Sequence, residues 1–383
     1  MSPSRHILVT ANMSWNILNF RAGIIRALVA RGDRVSVLAP VDESVPAIEA
    51  LGCRHIPLDM NPRGRSASSE AALILRLWRI LQRERPDAVL SYTIKNNLYG
   101  GLATRRLGIP FMPNVTGLGT VFTEGGTLLA FIRRLYRVAF QSAEPVFFQN
   151  PSDRQHFLEA GIVTAEKSKL LPGSGVDLSR FSARPLPGDP ERPVFLMVAR
   201  LLKEKGVAQY AEAALQVQKT CPGARFLIAG GHDPADSACV SASDLARWQA
   251  EGALEHIGRV GDIRVTLAEA DVCVLPSYYA EGTPRSLLEA AASGRPILTT
   301  DLPGCRDTLV PGESGLLCRP RDAGDLAANL SRLIDLGPEA RARMGAASRK
   351  LAETRFDERL VIDAYLHAID RATGRVLADA HAL

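Results

Sequence analysis

Short, almost wholly apolar runs recur along this chain with helix-patterned stretches between them, and the series starts twice. HILVTA (6–11) is followed by LNFRAGIIRALVARG (18–32) and then by RVSVLAP (34–40). Gly32 is a natural stop for the intervening helix, because glycine enters the left-handed conformation that ends helices without a Cβ penalty. DAVLSY (87–92) and PVFFQN (145–150) continue the series. It begins again at PVFLMVAR (193–200) and runs through ARFLIAGG (224–231), DVCVLPS (271–277) and PILTTD (296–301). Strands apolar along their whole length are buried on both faces, and strands alternating with helices build parallel sheets that helices cover on both sides. The expected fold class is therefore α/β, with two doubly wound Rossmann-like domains facing across a cleft. FSARPLPGDPERP (181–193), rich in proline and charge, reads as the linker. The expected division is 1–183, 184–355, and a C-terminal helix within 356–383 that packs back on the first domain. Ligands of such sheets lie beyond the carboxyl ends of the strands.

A chain of 383 residues, 46% hydrophobic, can bury two cores of ordinary size. Its charge is uneven. Up to residue 190 there are 23 Lys and Arg against 15 Asp and Glu, and beyond it 23 against 26. The first half thus favours an anionic partner. No basic–aromatic interleaving or metal-finger spacing supports nucleic acid, whereas an anionic membrane surface or a phosphate-bearing substrate fits. The six cysteines (53, 221, 239, 273, 305 and 318) form no C-x-x-C pair and read as small hydrophobes in a reduced compartment. The N-terminal apolar run is too short for a signal peptide, and no stretch approaches the roughly 20 apolar residues of a membrane span. A cytoplasmic protein that lies against a membrane is expected.

The most specific chemistry lies in AEGTPRSLLEAAASGRPILTTD (280–301), where Glu281 and Glu289 have seven residues between them. DVCVLPS reads as a buried strand and EGTP as the loop leaving it. Thr283 is expected to cap a helix with Pro284 at its first position, where the missing N–H costs nothing, and Gly294 to stop it. The first turn would present free N–H groups at Arg285 and Ser286, and such a helix start attracts phosphate. Glu289, over one turn in, suits a pair of ribose hydroxyls, and Glu281 in the loop can reach a second sugar. A phosphate flanked by two hydroxyl-binding acids describes a nucleotide sugar. Taken singly, each Glu is more often a solvated surface residue. A hydrolase pair of carboxylates is a third reading, weakened by the lack of sugar-stacking aromatics beyond Tyr278 and Tyr279. VARLLKEKGV (198–207) adds Arg200 and Lys205 at the end of the second domain's first strand. Two cations there would neutralise a diphosphate and the charge that grows on it as it leaves. The bland alternative is a solvated basic turn.

The E-x7-E element, the Arg200-x4-Lys205 element and GSGVDLSRF (173–181) resemble retaining glycosyltransferases of the family 4 type, which have the GT-B fold. SYTIKNNLYGGLATRRLGIP (91–110), NVTGLGTVF (114–122) and EGTPRSLLEA (281–290) are similar to the bacterial branch that adds N-acetylhexosamine or hexose to undecaprenyl-diphosphate-linked sugars. The resemblance covers nearly the whole chain. It implies that Arg200 and Lys205 bind the donor diphosphate, that Glu281 contacts the transferred sugar, and that Gly282, Thr283, Pro284, Arg285 and Ser286 approach sugar and phosphate. Glu289 would hold the ribose, with the base near Arg259 and Val260. In the first domain Asn16, Lys95, Asn96, Asn114, Thr116 and Gly117 would contact acceptor or donor sugar. The donor implied is a UDP-sugar and the acceptor a lipid-linked saccharide, with no metal and no other cofactor. Two features depart from many family members: ANMSWNILNF (11–20) has no glycine, and NVTGLG has no histidine.

On a helical wheel of TLLAFIRRLYRVAFQSA (127–143), Arg133, Arg134 and Arg137 span about 100° while Phe131, Ile132, Leu135 and Val138 face away. RLWRILQRER (76–85) adds basic surface. Such a helix can lie on anionic lipid or simply pack in the core with a solvated basic face. Two other functions remain on the sequence alone. A sugar-nucleotide 2-epimerase of the same fold would need further acids and histidines, and a non-catalytic nucleotide-binding module would bind without turnover. A nicotinamide oxidoreductase lacks its G-x-G-x-x-G turn.

Overall fold

The computed structural model describes residues 4–61, 66–118 and 126–374. Two units emerge, one of residues 1–174 with 358–383 and the other of residues 175–357. The expected boundary at 183/184 moves back because residues 175–183 pack with the second unit. Val176 N–H donates to Phe356 O at 2.7 Å, and Val176 and Phe181 are buried in the second core.

The first unit holds a seven-stranded parallel sheet of β1 (His6–Thr10), β2 (Arg34–Ala39), β3 (Arg54–Pro57), β4 (Ala88–Tyr92), β5 (Phe111–Val115), β6 (Val146–Phe148) and β7 (Ser168–Leu170), in the order β3-β2-β1-β4-β5-β6-β7. Every residue of β1, β4 and β5 is buried. Alternate side chains feed two cores. Leu8 meets Leu73, Leu77 and Tyr136 on one face, and Ile7 and Val9 meet Ile17, Ile24, Leu28 and Tyr365 on the other. Each such aliphatic side chain contributes roughly 1.5–3 kcal/mol on leaving water. Helix Glu358–Ala372 closes the second face. Its Asp370 accepts from Arg5 Nη1 at 2.6 Å and Arg31 Nη1 at 3.2 Å, and both arginines also hold Asp33. This four-group network ties the end of the chain to its beginning.

The second unit holds β8 (Val194–Val198), β9 (Arg225–Ala229), β10 (Glu255–Gly258), β11 (Val272–Leu275), β12 (Ile297–Thr300) and β13 (Gly315–Cys318), all parallel, in the order β10-β9-β8-β11-β12-β13. The series runs outward from β8 in one direction and from β11 in the other. The two strands therefore part at their carboxyl ends, which is where doubly wound sheets leave a crevice. In the first unit the same reversal falls between β1 and β4.

Candidate functional site

The segments leaving β8 and β11 are fastened to each other. Gly206 has φ +81°, and a Cβ there would collide with the Pro276 carbonyl, so only glycine admits this approach of two backbones. Tyr278 N–H donates to Glu204 O at 2.8 Å across the same gap. The fastening delivers Lys205 to Glu281: their side chains form an ion pair, 17% and 11% exposed. Ser277, fully buried, donates its hydroxyl to Glu281 Oε1 at 2.9 Å. Gly304, φ +81°, lies so close to Gly282 O that it too has no room for a Cβ, which braces the 281–282 backbone from the β12 side. Arg200, exposed at the end of β8, makes no side-chain hydrogen bond or ion pair among the described residues. Lys205 lies 5.7 Å from the Tyr279 ring centroid. Burial above all, then Glu281 and Glu204, raise the Tyr279 hydroxyl's pKa, and Arg200 opposes them.

The following helix spans Arg285–Ala292. Pro284 occupies the cap position rather than the first helical one, and no side chain caps the start, so the expected Thr283 cap does not form. Pro284 O accepts from Leu287 N–H at 3.1 Å and Leu288 N–H at 3.3 Å. Ser286 N–H has no acceptor among the described residues. Ser293 ends the helix and Gly294 follows with φ +72°. Glu289 sits on the expected turn, paired with Arg285 Nε at 3.0 Å. Arg285 also donates to Gly175 O. Burial raises the Glu289 carboxyl above its usual range, and Arg285 and Arg180 only partly offset that. Such a carboxylate gains from donors that replace water, which vicinal hydroxyls supply. Beyond β10, the exposed Arg259 lies across Gly231 at the end of β9, and Val260 rests on the second core. The second-unit residues singled out in the sequence thus share one sheet edge.

Those of the first unit gather at the ends of β1, β4 and β5. Asn16 is half-buried in the first turn of helix Ser14–Ala30. Lys95, read as open to phosphate, is held by Glu70 at 2.6 Å, and Tyr99 donates to the same carboxylate at 2.6 Å. Asn96 is buried and donates to Thr10 Oγ1 at 2.8 Å, while Asn114 donates to Tyr365 OH at 2.9 Å. Thr116 and Gly117 follow β5, half-buried. Residues 119–122 of the NVTGLGTVF motif lie outside the described residues. Thr93, which opens helix Ile94–Leu107, has φ +72° and ψ 152°, a conformation costly for a β-branched residue and concentrated at functional turns. In helix Gly126–Ala139, Phe131 is 63% exposed rather than on the packed face. Arg137 donates to the carbonyls of Ala160 and Gly161, and Arg133 contacts His156 at 3.0 Å. The wheel misplaced Phe131 because Ile132, Leu135 and Tyr136 suffice to cover the core there. Ser277, Glu70 and Thr93 went unnoticed in the sequence: Glu70 meets partners 25 and 29 positions on, Ser277 reaches Glu281 only through the path of the loop after β11, and Thr93 is marked by its backbone angles alone. Among the described residues no helix is long and apolar enough to cross a membrane, and no cluster of three His, Cys, Asp or Glu could hold a metal ion.

The fold recurs in known proteins. Residues 20–174 match the family described as glycosyl transferase 4-like domain, and residues 180–351 match glycosyl transferases group 1. The N,N'-diacetylbacillosaminyl-diphospho-undecaprenol alpha-1,3-N-acetylgalactosaminyltransferase of Campylobacter jejuni is 29% identical over 94% of this chain and 97% of its own. The UDP-Gal:alpha-D-GlcNAc-diphosphoundecaprenol alpha-1,3-galactosyltransferase of Escherichia coli is 26% identical over 77% of this chain and 76% of its own. Among solved structures, Anabaena HepE in complex with UDP and glucose superposes with a TM-score of 0.79 at 17% identity, covering 96% of this chain and all of that one. That likeness is one of fold.

Proposed function

Since the chain belongs to the GT-B glycosyltransferases, with a glycosyl transferase 4-like domain and a group 1 domain in series, we propose that it moves a sugar from a UDP-sugar to a polyprenyl-diphosphate-linked saccharide. The sugar is an N-acetylhexosamine such as GalNAc, or a hexose, and the product is a glycan or surface polysaccharide precursor. The observation that carries the reading is the convergence of Arg200, Lys205, Glu281, the uncapped start of helix Arg285–Ala292 and Glu289 on one edge at the reversal between β8 and β11. The full-length similarity to the Campylobacter jejuni enzyme supports a lipid-linked acceptor.

In this reading Arg200 and Lys205 take the donor diphosphate, with the free Ser286 amide at the helix start beside them. Glu289 accepts from the ribose hydroxyls, the base lies by Arg259 and Val260, and Glu281 orients the transferred sugar. As the anomeric carbon–oxygen bond breaks, charge grows on the leaving diphosphate, where the cations and the helix start stabilise it. The acceptor hydroxyl attacks from the same face and the leaving phosphate takes its proton, so the anomeric configuration is retained. The protein's own cations do the work that a divalent ion performs elsewhere, and transfer proceeds without metal. Asn16, Lys95, Thr116 and Gly117 stand on the acceptor side, and the buried Asn96 and Asn114, expected as contacts, act behind them by holding Thr10 and Tyr365. The exposed Phe131 beside the exposed Arg134 supports peripheral contact of helix Gly126–Ala139 with the anionic inner face of the cytoplasmic membrane. The test is a donor screen with a panel of sugar nucleotides and an undecaprenyl-diphosphate sugar acceptor, with and without a chelator. Release of free sugar and nucleotide in place of a glycosylated lipid would overturn the reading.

A further inference from the structure

Among the described residues, the first unit contains a buried cation with no counter-charge. Arg21 faces the sheet from helix Ser14–Ala30 and is 3% exposed. Its Nε and Nη1 are sealed from solvent and have no hydrogen-bond partner, and it forms no ion pair among the described residues. Its guanidinium carbon lies 4.0 Å from the centroid of the Tyr92 ring. Tyr92 ends β4, fully buried, and its hydroxyl faces that of Tyr365, as donor to it, with no closer partner. Tyr365 lies 6.1 Å from Tyr92 between ring centroids and accepts from Asn114 through its hydroxyl. The remaining oxygen of Asn114 is buried and unfilled.

Burying a charge is costly unless it is paired and hydrogen-bonded. The Tyr92 ring offsets part of that cost and leaves the N–H donors unfilled. A guanidinium and nearby tyrosine hydroxyls, with no carboxylate paired to the cation, form a donor set for an oxyanion, and the planar fork of arginine matches a phosphoryl group. The cluster lies at the ends of β4 and β5, beside the strained turn at Thr93 that opens helix Ile94–Leu107 and adds partial positive charge. We infer that Arg21, with Tyr92 and Tyr365 beside it and Asn114 holding Tyr365 in place, binds a phosphoryl group of the lipid-linked diphosphate acceptor. This rests on the transfer reading above. The donor diphosphate already has its cations in the second unit, so a separate cation in the first is assigned to the second substrate.

The test uses the full-length protein as wild type, Arg21→Met and Arg21→Lys. Melting temperature is followed with inorganic phosphate, with a short-chain prenyl diphosphate and with the corresponding prenyl alcohol. The prenyl diphosphate raises the melting temperature of the wild type, the alcohol does not, and Arg21→Met abolishes the shift while Arg21→Lys keeps part of it. Without ligand, Arg21→Met melts no lower than wild type, because it removes a buried charge that has no partner. In the transfer assay Arg21→Met raises KM for the lipid-linked acceptor at least tenfold and leaves UDP affinity unchanged. An equal shift from inorganic phosphate alone keeps the oxyanion site and overturns its assignment to the acceptor. A lower melting temperature in unliganded Arg21→Met, with acceptor KM unchanged, identifies a structural cation bridged by water and overturns the proposal. If instead the wild type shows the Arg21-dependent shift but transfers to no lipid acceptor, it is the transferase reading that fails.

Discussion

Replacing Glu281 by Gln removes the carboxylate that Lys205 contacts, and replacing Lys205 by Met removes the cation, so the two changes and their combination form a complete cycle. At 17% and 11% exposure the pair lies between a surface ion pair, worth up to about 1 kcal/mol, and a fully buried one, where loss of a partner costs about 3–5 kcal/mol. Each single change should therefore destabilise the unliganded protein by about 1–3 kcal/mol, and the double change by less than their sum, a coupling of about 1–2 kcal/mol. Donor binding separates the roles. The diphosphate competes with Glu281 for Lys205, so Lys205→Met weakens UDP binding about 10- to 100-fold, or about 1.4–2.8 kcal/mol, whereas Glu281→Gln does not weaken it. Transfer falls about 10²–10³-fold in both, because each loses a group aimed at the reacting centre. Urea unfolding gives the coupling, titration calorimetry with UDP the affinities, and initial rates the transfer. Equal weakening of UDP binding in both single variants would refute the competition, and a coupling of zero would refute the ion pair itself.

Glu289 makes a prediction about pH. Its carboxyl is raised by burial, so the folded state retains a proton that the unfolded chain has already released. Stability attributable to this group therefore falls as pH rises from the ordinary carboxylate range through the raised value, and Glu289→Gln, compared with wild type by unfolding across that window, removes the dependence. Ribose hydroxyls need the ionised form, so UDP affinity should rise with pH over the same window in wild type and stay flat in Glu289→Gln. Gly304→Ala places a Cβ against Gly282 O at φ +81° and should cost about 1–3 kcal/mol by thermal unfolding, with a matching loss of transfer as the 281–282 backbone shifts. Phe131→Ser with Arg134→Glu should weaken cosedimentation with anionic vesicles, the charge accounting for about 1 kcal/mol per basic residue removed, with activity on a soluble acceptor analogue unchanged. Equal binding to neutral vesicles would count against the electrostatic part.

Most central strands were legible because burial on both faces favours an apolar residue at every position, as HILVT, AVLSY, VFLMV and VCVL show, whereas FMPNV was missed because Pro113 and Asn114 interrupt its apolar run although every residue is buried. The outer strands were not singled out. RHIP, SKL and EHIG keep polar residues, since an edge position leaves part of each strand to solvent. That Glu281, Glu289, Arg200 and Lys205 stand at strand ends and a helix start of one sheet edge could be read from the sequence, because those boundaries are local features. Thr283 could not be read correctly as a cap, because the cap is decided by the backbone angle of Pro284, which the neighbouring segments impose.

Local pattern, then, determined that two parallel sheets form, which strands lie at their centres, and which side chains stand at the strand ends, because these follow from period, burial and turn chemistry within a few residues. Tertiary structure alone decided who meets whom: Lys205 with Glu281, Lys95 with Glu70, and Arg21 with the ring of Tyr92 and no acid among the described residues. These meetings join residues 25 or more positions apart, whereas Arg285 and Glu289 meet one turn apart on a single helix. The crossing of strands at the reversal points brings them together, and periodicity carries no record of which distant side chain arrives at the same edge.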